Sequence, residues 1–159
     1  MKKCIISLSF RFPGAQPVSF ERKHLNVLES TDYYVCEKSD GHRYLLFMAL
    51  LGSGPAAFLI NRKCEFYRVD VFFPTKQNVK QPHHETLLDG ELVVEIEENG
   101  EKSCKFMIFD LMIINSKNVT NESLLSRLNI AQKEVFAPFN FMLEKFPDYK
   151  QKLPFQYQN

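Results

Sequence analysis

The sequence predicts an α+β fold in which antiparallel sheets are flanked by helices. Between residues 33 and 114, short runs rich in aromatic and β-branched residues alternate with tight-turn signals, which is typical of antiparallel strands. A longer segment with apolar residues at helical spacing follows these runs, so the strands come before the main helix. The chain has 159 residues, which is long enough to form one core without disulfides or metal.

Composition and charge limit the classes of partner. Hydrophobic residues make up 45% of the chain and charged residues 25%, as expected for a globular domain. The formal net charge is +1, so the chain lacks the overall basic field of a duplex nucleic-acid binder, and any RNA contact must be local. No apolar run is long enough to span a bilayer, so we expect no membrane partner. The four cysteines are scattered singly, which signals neither a zinc site nor disulfides.

The first predicted elements are a helix and a hairpin. Residues 21–30 space two leucines among polar residues and predict a short helix. The apolar runs at residues 33–36 and 43–48 flank an Asp-Gly turn signal at residues 40–41, so they predict a hairpin.

Further strands and a polar loop follow. The strands are predicted at residues 57–60, 65–69, 87–88, 92–94 and 106–114. Residues 75–85 are polar and predict a loop, whereas Asn99-Gly100 predicts a tight turn within the second strand group.

The main helix is predicted over residues 122–136, with Thr120 or Asn121 as its N-terminal cap. Pro138 is expected to end or kink this helix, because proline lacks the N–H that an α-helix requires. The tail beyond Pro138 carries no strong periodicity.

Lys38, Asp40, Gly41 and Arg43 form the first candidate site, with the pattern K-x-D-G-x-R. One interpretation is an ordinary hairpin turn, because Asp-Gly between apolar runs is the usual hairpin signal. The other is a lysine nucleophile, whose amine would have to be neutral. Partial burial, a nearby cation such as Arg43 or a bound metal ion would favour the neutral amine.

Asp89-Gly90-Glu91 and the run from Phe106 to Asp110 form the second and third candidates. The Asp-Gly-Glu motif alone favours a turn with a solvated glutamate, although strand alternation can also aim Glu91 into a cleft. In the third run, one aromatic ring can stack on a purine base while its neighbours pack in the core, where Phe106 is expected.

Taken in order, K-x-D-G-x-R, D-G-E and the aromatic-Asp strand resemble motifs I, III and IIIa of the covalent nucleotidyltransferases, which include DNA ligases, RNA ligases and capping enzymes. Residues 12–19 resemble a segment that eukaryotic capping guanylyltransferases carry ahead of motif I and that ligases do not share. The similarity continues through residues 33–47, 59–63 and 106–127 and is greatest to fungal-type enzymes.

The resemblance implies roles for six residues. Lys38 would be guanylylated, Asp40 and Gly41 would shape the nucleophile turn, Arg43 would contact the ribose, Glu91 would contact the ribose or the metal side, and Phe109 would stack on guanine. It also implies that the nucleotide lies between the antiparallel sheets of this fold.

The implied reaction has two steps and takes place during nuclear mRNA processing. The lysine attacks the α-phosphate of GTP and releases pyrophosphate, and GMP then passes to the 5′-diphosphate end of nascent RNA. Mg²⁺ or Mn²⁺ is the implied cofactor. The implied protein partners are the C-terminal tail of RNA polymerase II and an RNA triphosphatase.

Three family elements have no counterpart after Phe109: an E-G-[LIV] motif IV, a K-[WL]-K motif V and an arginine-containing motif VI. We therefore expect residues 1–159 to be a partial nucleotidyltransferase domain, with the C-terminal OB-fold domain absent. Two alternatives are a binding or scaffold remnant that is catalytically incomplete and a fragment of an ATP-dependent polynucleotide ligase. Residues 12–19 disfavour the ligase.

Overall fold

The computed structural model describes residues 3–4, 12–36, 38–96, 98–151 and 156–158. The strands are β1 (Lys3–Cys4), β2 (His42–Leu51), β3 (Gly54–Ile60), β4 (Phe66–Val69), β5 (Pro74–Thr75), β6 (Asn78–Pro82), β7 (Thr86–Ile96), β8 (Lys102–Ile114), β9 (Lys117–Asn118) and β10 (Gln156–Gln158). The helices are α1 (Leu25–Ser30) after a 3-10 turn at Arg22–His24, α2 (Leu124–Ala131), α3 (Ala137–Lys145) and α4 (Pro147–Gln151), with a π-helical turn at Gln132–Phe136 between α2 and α3.

The described strands form one large sheet and one small one. The large sheet has eight strands in the order β1-β4-β3-β2-β7-β8-β10, and β9 also pairs with β8. Its neighbours are antiparallel except for β10, which runs parallel to β8. Strands β5 and β6 pair separately. The predicted α+β class with antiparallel sheets and flanking helices is confirmed.

One face of the sheet packs against the α2–α3 helical segment and forms the main core. Leu46 and Met48 of β2 lie in this core together with Val135 and Phe139 from the helical side. The stacked rings of Phe73 and Phe139 lie 4.3 Å apart between centroids. Because side chains alternate along a strand, Leu45 and Phe47 point to the other face.

The other face carries a smaller cluster and the polar residues of the candidate site. Leu45, Ile60 and Leu87 are buried there, with Phe12 packed against them. Arg43 lies two residues before Leu45 on β2 and therefore shares this face. The small cluster thus supports the site from the apolar side.

A β-bulge interrupts the pairing of β7 with β8. Asp89 pairs with Asp110 and Gly90 pairs with Ile108, so Phe109 has no opposite residue. The extra residue changes the alternation, because Ile108 and Leu111 are both buried in the main core and Asp110 is not. The bulge therefore keeps the Asp110 carboxylate out of the core.

The helical segment differs from its prediction at both ends. Ser123, rather than Thr120 or Asn121, caps α2 by accepting a hydrogen bond from the Ser126 N–H at 3.2 Å. The segment also continues past Pro138 to Lys145, although its last α-helical turns follow the π-helical one.

Buried His83 explains how the helical segment continues through the proline. Pro138 cannot donate to the carbonyl of Glu134, four residues earlier, because it has no N–H. The Nε2 of His83 lies 2.8 Å from that carbonyl oxygen and supplies the missing hydrogen bond. The Ala137 N–H donates to the Gln132 carbonyl, so the π-helical turn also shifts the bonding register.

The helix predicted at residues 21–30 and the Asn99-Gly100 turn are confirmed. The hairpin predicted around Asp40-Gly41 is wrong, since the described part of residues 32–40 forms no strand. Both edges of β2 are already paired, with β3 and with β7, so no place is left for another strand. Asp89-Gly90 is also no turn, because it lies inside β7.

Two segments contain structure that their sequence did not predict. Strands β5 and β6 lie at the predicted polar loop of residues 75–85, and the tail contains α4 and β10. Short polar strands and a single helical turn carry little periodicity, so the apolar pattern did not reveal them. None of the helices in the described part of the chain is long and apolar enough to cross a bilayer.

Candidate functional site

Arg43 and Asp89 form a bidentate ion pair at the centre of the candidate site. The Nε of Arg43 lies 2.9 Å from Oδ1 of Asp89, and Nη2 lies 2.5 Å from Oδ2. The Asp89 side chain is 2% exposed and that of Arg43 13%. The hydrogen bonds to Asp89 raise the pKa of the Arg43 guanidinium despite its burial, and the charges of Asp89, Asp110 and Glu91 act in the same direction. Arg43 is therefore a fixed, permanently charged group.

The segment that begins at Phe12 lies directly on this ion pair. The Ala15 carbonyl accepts a hydrogen bond from Nη1 of Arg43 at 2.5 Å, and the guanidinium carbon lies 5.3 Å from the centre of the Phe12 ring. Gly14 is buried between them. A Cβ atom at Gly14 would lie 2.8 Å from both Arg43 Nη2 and Asp89 Oδ2, so only glycine allows this approach.

Glu91 ties the Lys38 loop to the sheet. One carboxylate oxygen of Glu91 accepts a hydrogen bond from the Ser39 hydroxyl, and the other accepts one from the Gly41 N–H at 3.2 Å. Glu91 pairs with Arg43 across β2 and β7, so the glutamate and the arginine are neighbours on one face of the sheet. Glu91 is half-buried rather than solvated.

Lys38 itself is exposed. Its Nζ lies 3.5 Å from the backbone carbonyl of Ser39, which is a long hydrogen bond. Asp40 is exposed as well, whereas Gly41 approaches β7 so closely that a Cβ atom there would lie 2.5 Å from the Leu92 carbonyl. The glycine therefore brings the lysine loop against the sheet.

A cleft of about 440 Å³ opens beside these residues. Its lining consists of Gly41, His42, Arg43, Tyr44, Asn61, Arg62, Lys63, Glu65 and Glu91. Three of the predicted site residues, Gly41, Arg43 and Glu91, thus share one cavity. Lys38, Asp40 and Phe109 are not among its lining residues.

The β3–β4 connection supplies cleft residues to which the sequence analysis assigned no role. Asn61 organises this turn, because its side-chain oxygen accepts hydrogen bonds from the backbone N–H groups of Lys63 at 2.9 Å and Glu65 at 3.0 Å. Arg62 and Lys63 are exposed on the cleft wall. The similarity through residues 59–63 was the signal that could have identified them.

Phe109 also lies close to Arg43. The centre of its ring is 5.6 Å from the guanidinium carbon, and its side chain is 43% exposed. Phe106 is 0% exposed, so the prediction that it belongs to the core is confirmed. Exposure leaves the Phe109 ring available to a ligand, which is unusual for an aromatic residue in a central strand.

Three carboxylates of the site are engaged by protein donors, whereas Asp40 is exposed. Asp89 binds Arg43, Glu91 binds Ser39 and Gly41, and Asp110 binds Arg127. Within the described ranges, no group of three or more His, Cys, Asp or Glu side chains is arranged to hold a metal ion. These residues therefore do not by themselves fit a divalent cation.

Comparisons with known proteins give a consistent family. The family model described as "mRNA capping enzyme, catalytic domain" matches residues 1–159. The chain is 41% identical over 154 residues to the mRNA-capping enzyme subunit alpha of Neurospora crassa, which covers 92% of this chain and 38% of that protein. It is 40% identical over 135 residues to the Schizosaccharomyces pombe subunit alpha, covering 81% of this chain and 34% of the relative.

A vertebrate relative is also similar. The mRNA-capping enzyme of Danio rerio is 30% identical over 148 residues, which is 93% of this chain and 24% of that enzyme. The chain therefore spans well under half the length of each of these three relatives. The matches confirm the resemblance that the three motifs indicated, and the chain belongs to the mRNA capping enzyme catalytic-domain family.

Proposed function

We propose that this chain is the nucleotide-binding part of an mRNA guanylyltransferase, in which Lys38 accepts GMP from GTP and passes it to the 5′-diphosphate end of RNA. The observation that carries the proposal is the link from Glu91 to Ser39 and Gly41, which fixes the Lys38 loop beside Arg43. Family membership supports the same assignment.

In the first step, the Lys38 amine would attack the α-phosphorus of GTP. A nitrogen–phosphorus bond forms, the bond from the α-phosphorus to the bridging oxygen of pyrophosphate breaks, and the amine loses its proton. The exposure of Lys38 supports access of the triphosphate to this amine. In the second step, an oxygen of the RNA 5′-diphosphate takes the place of the lysine nitrogen, which recovers a proton.

Arg43 would orient the ribose. A guanidinium carries five N–H groups, and the contacts to Asp89 and Ala15 use three of them. The remaining N–H groups can donate to a sugar hydroxyl while the ion pair keeps the side chain in place. Such fixed placement matters, because a displacement of about 1 Å can lower a rate about a hundredfold.

Glu91 would act on the ribose or the metal side once a nucleotide is bound, and Asp40 and Gly41 would shape the loop. Phe109 would stack on the guanine base, a role supported by its exposed ring next to Arg43. Arg62 and Lys63 would face the phosphates, because their charges lie on the wall of the same cleft. Opposite charge then favours a triphosphate in this position.

GTP and 5′-diphosphate RNA are the proposed substrates, and Mg²⁺ or Mn²⁺ is the proposed cofactor. The ion would offset charge on the triphosphate, and Glu91, whose carboxylate accepts hydrogen bonds from Ser39 and Gly41, is the candidate residue on the metal side. The nuclear location, the RNA polymerase II tail and the RNA triphosphatase stay predictions. So does the interpretation of residues 1–159 as a partial domain.

The proposal is tested by label transfer with two nucleotides. A chimera would carry this chain in place of the matched 154 residues of the Neurospora crassa subunit alpha. With a divalent ion, we expect covalent label from α-labelled GTP and none from α-labelled ATP. Label from ATP alone would contradict GTP as the substrate, and no label from either nucleotide would support a scaffold that has lost catalysis.

The chain alone is the second arm of this experiment. We propose that the polypeptide outside the matched region contributes groups that hold the triphosphate, because the match covers only 38% of the Neurospora crassa relative. The 159-residue chain should therefore form little or no covalent adduct, and adding the remaining portion should restore labelling. Efficient labelling of the chain alone would contradict this division of roles.

A further inference from the structure

Arg127 of α2 forms a bidentate ion pair with Asp110, the residue that follows Phe109. The Nε of Arg127 lies 2.7 Å from Oδ1 of Asp110, and Nη2 lies 2.9 Å from Oδ2. The Arg127 and Asp110 side chains are only 16% and 19% exposed. Bidentate pairing of this kind fixes both distance and orientation, because the guanidinium is a planar fork.

The same arginine is anchored to the start of its own helix. Its Nη1 donates to the Glu122 carbonyl at 2.6 Å, one residue before the Ser123 cap. Asp110 is held from the strand side as well, since its Oδ1 accepts the Leu111 N–H at 2.8 Å. Arg127 therefore connects β8 rigidly to the N-terminal end of α2.

This connection lies next to the bulge. Phe109 has no opposite residue on β7, so no cross-strand pair determines the direction of its side chain. Bulges redirect a side chain, and the direction depends on how the flanking residues are held. Ile108, which precedes Phe109, is buried in the core, and Asp110, which follows it, is held by Arg127.

We propose that Arg127 is a positioning residue for nucleotide recognition: by holding Asp110 it fixes the bulge and so the plane in which the Phe109 ring meets the base. The inference rests on the proposed stacking of Phe109 on guanine. It goes beyond that proposal because it gives a role to Arg127, to which the proposed function assigns none.

A purely structural role for Arg127 is the competing explanation. If Arg127 only attached α2 to the sheet, its loss would lower the stability of the fold and leave the affinity of the folded molecules unchanged. If it positions Phe109, its loss would change base binding, and the change would depend on the presence of the Phe109 ring. A double-mutant cycle separates the two explanations.

The experiment is a titration of the 159-residue chain with GTP, followed by NMR of the guanine H8 proton, in the millimolar range where weak binding is observed. A ring stacked on the base shifts H8 upfield, so the shift at saturation reports the position of the Phe109 ring. Arg127→Lys keeps the charge but loses the fork, and Asp110→Asn serves if the lysine variant does not fold. Glu95→Gln is the matched control, because it removes an ion pair from the same hairpin at Lys105.

We expect Arg127→Lys to raise the Kd for GTP about fivefold and to reduce the H8 shift, in keeping with partial loss of stacking. In the Phe109→Leu background, Arg127→Lys should cause no further loss of GTP affinity. Glu95→Gln should leave both the Kd and the H8 shift unchanged.

Three results would overturn the inference, and they differ in what else they overturn. If Phe109→Leu weakens GTP binding but Arg127→Lys and Asp110→Asn do not, Arg127 is structural and the stacking proposal survives. If Phe109→Leu leaves GTP binding unchanged, the stacking proposal fails together with the inference. Equal losses from Arg127→Lys with and without the Phe109 ring would also show that Arg127 does not act through it.

Discussion

Asp89 and Asp110 lie directly opposite each other on β7 and β8, and each carboxylate is bound by a different arginine. Two like charges in a cross-strand pair would repel each other. Arg43 from β2 and Arg127 from α2 supply the opposite charges, and the charge of Asp110 also contributes to the raised pKa of Arg43. The two ion pairs are therefore electrostatically linked. The bulge at Phe109 lies directly next to the Asp89–Asp110 pair.

Replacing Asp89 by asparagine should destabilise the fold by about 3 kcal/mol, because it leaves a largely buried arginine without its main partner. Urea unfolding measures this loss as a lower midpoint with an unchanged slope. The matched control is Glu95→Gln, which breaks an ion pair whose Glu95 side chain is 43% exposed and should cost less than about 1 kcal/mol. Equal effects of the two substitutions would show that the buried Arg43–Asp89 pair contributes no more to the free energy of unfolding than the more exposed Glu95–Lys105 pair.

Gly14→Ala should displace the Phe12 segment from the ion pair. The new methyl group would lie 2.5 Å from the Phe12 ring and 2.8 Å from Arg43 Nη2 and Asp89 Oδ2, closer than carbon contacts allow. We expect a loss of about 1 to 3 kcal/mol of unfolding free energy, as for other overpacked sites. Gly52→Ala is the control, since among the described residues other than its two neighbours no heavy atom lies within 4 Å of a Cβ there, and its melting temperature should be nearly unchanged. A neutral Gly14→Ala would mean that the segment does not lie on the pair in solution.

Phe109→Leu should weaken GTP binding more than it affects stability. Loss of stacking on the base corresponds to about 1 to 3 kcal/mol, whereas the side chain is 43% exposed and contributes little to the core. Phe106→Leu should show the opposite pattern, because Phe106 is 0% exposed. Calorimetry of GTP binding and thermal unfolding of both variants provide the measurement. A large loss of stability in Phe109→Leu with unchanged GTP affinity would place Phe109 in the core.

Tyr149→Phe should remove a hydrogen bond whose contribution to the free energy of unfolding decreases at high pH. Burial raises the pKa of Tyr149, the hydrogen bond from the Phe72 N–H lowers it, and the charge of Asp70 raises it. Because the folded pKa lies above the unfolded value of about 10, the hydroxyl stabilises the fold fully below about pH 10 and less as the pH rises through the folded pKa.

The wild type should therefore exceed Tyr149→Phe by about 1 kcal/mol at about pH 8, and the difference should shrink at about pH 10.5. Urea unfolding of both proteins at the two pH values checks this, and the comparison cancels the titration of other groups. A difference that stays constant or grows with pH would contradict the assigned direction of the Tyr149 pKa.

Local patterns predicted the elements that depend on local chemistry. The helix at residues 21–30 and the turn at Asn99-Gly100 follow from spacing and turn residues. The two Asp-Gly motifs misled the prediction, because their glycines serve close packing rather than turns. A Cβ atom would lie 2.5 Å from the Leu92 carbonyl at Gly41 and 2.6 Å from the Met107 carbonyl at Gly90. Sequence alone does not distinguish these two uses of glycine.

The candidate site was only partly predictable for a related reason. Lys38, Arg43 and Glu91 stand in recognisable motifs, whereas the partners that hold them are distant in sequence. Asp89 lies 46 positions from Arg43, and Arg127 lies 17 positions from Asp110, so neither ion pair leaves a local pattern. The bulge at Phe109 is hidden as well, because one extra residue shifts the alternation only after the strands have paired.

Covalent attachment of GMP to Lys38 is the most direct test of the proposed function. The chimera with the remaining portion of the Neurospora crassa subunit alpha would be incubated with GTP and a divalent ion and measured by intact mass and peptide mapping. We expect a mass increase of one GMP, located on Lys38. Lys38→Ala and Lys38→Arg should show none, since a guanidinium stays protonated and cannot act as a nucleophile. Lys117→Ala, which removes an exposed lysine from β9, should retain the full increase. An undiminished mass increase in Lys38→Arg, or GMP located on another residue, would contradict the account.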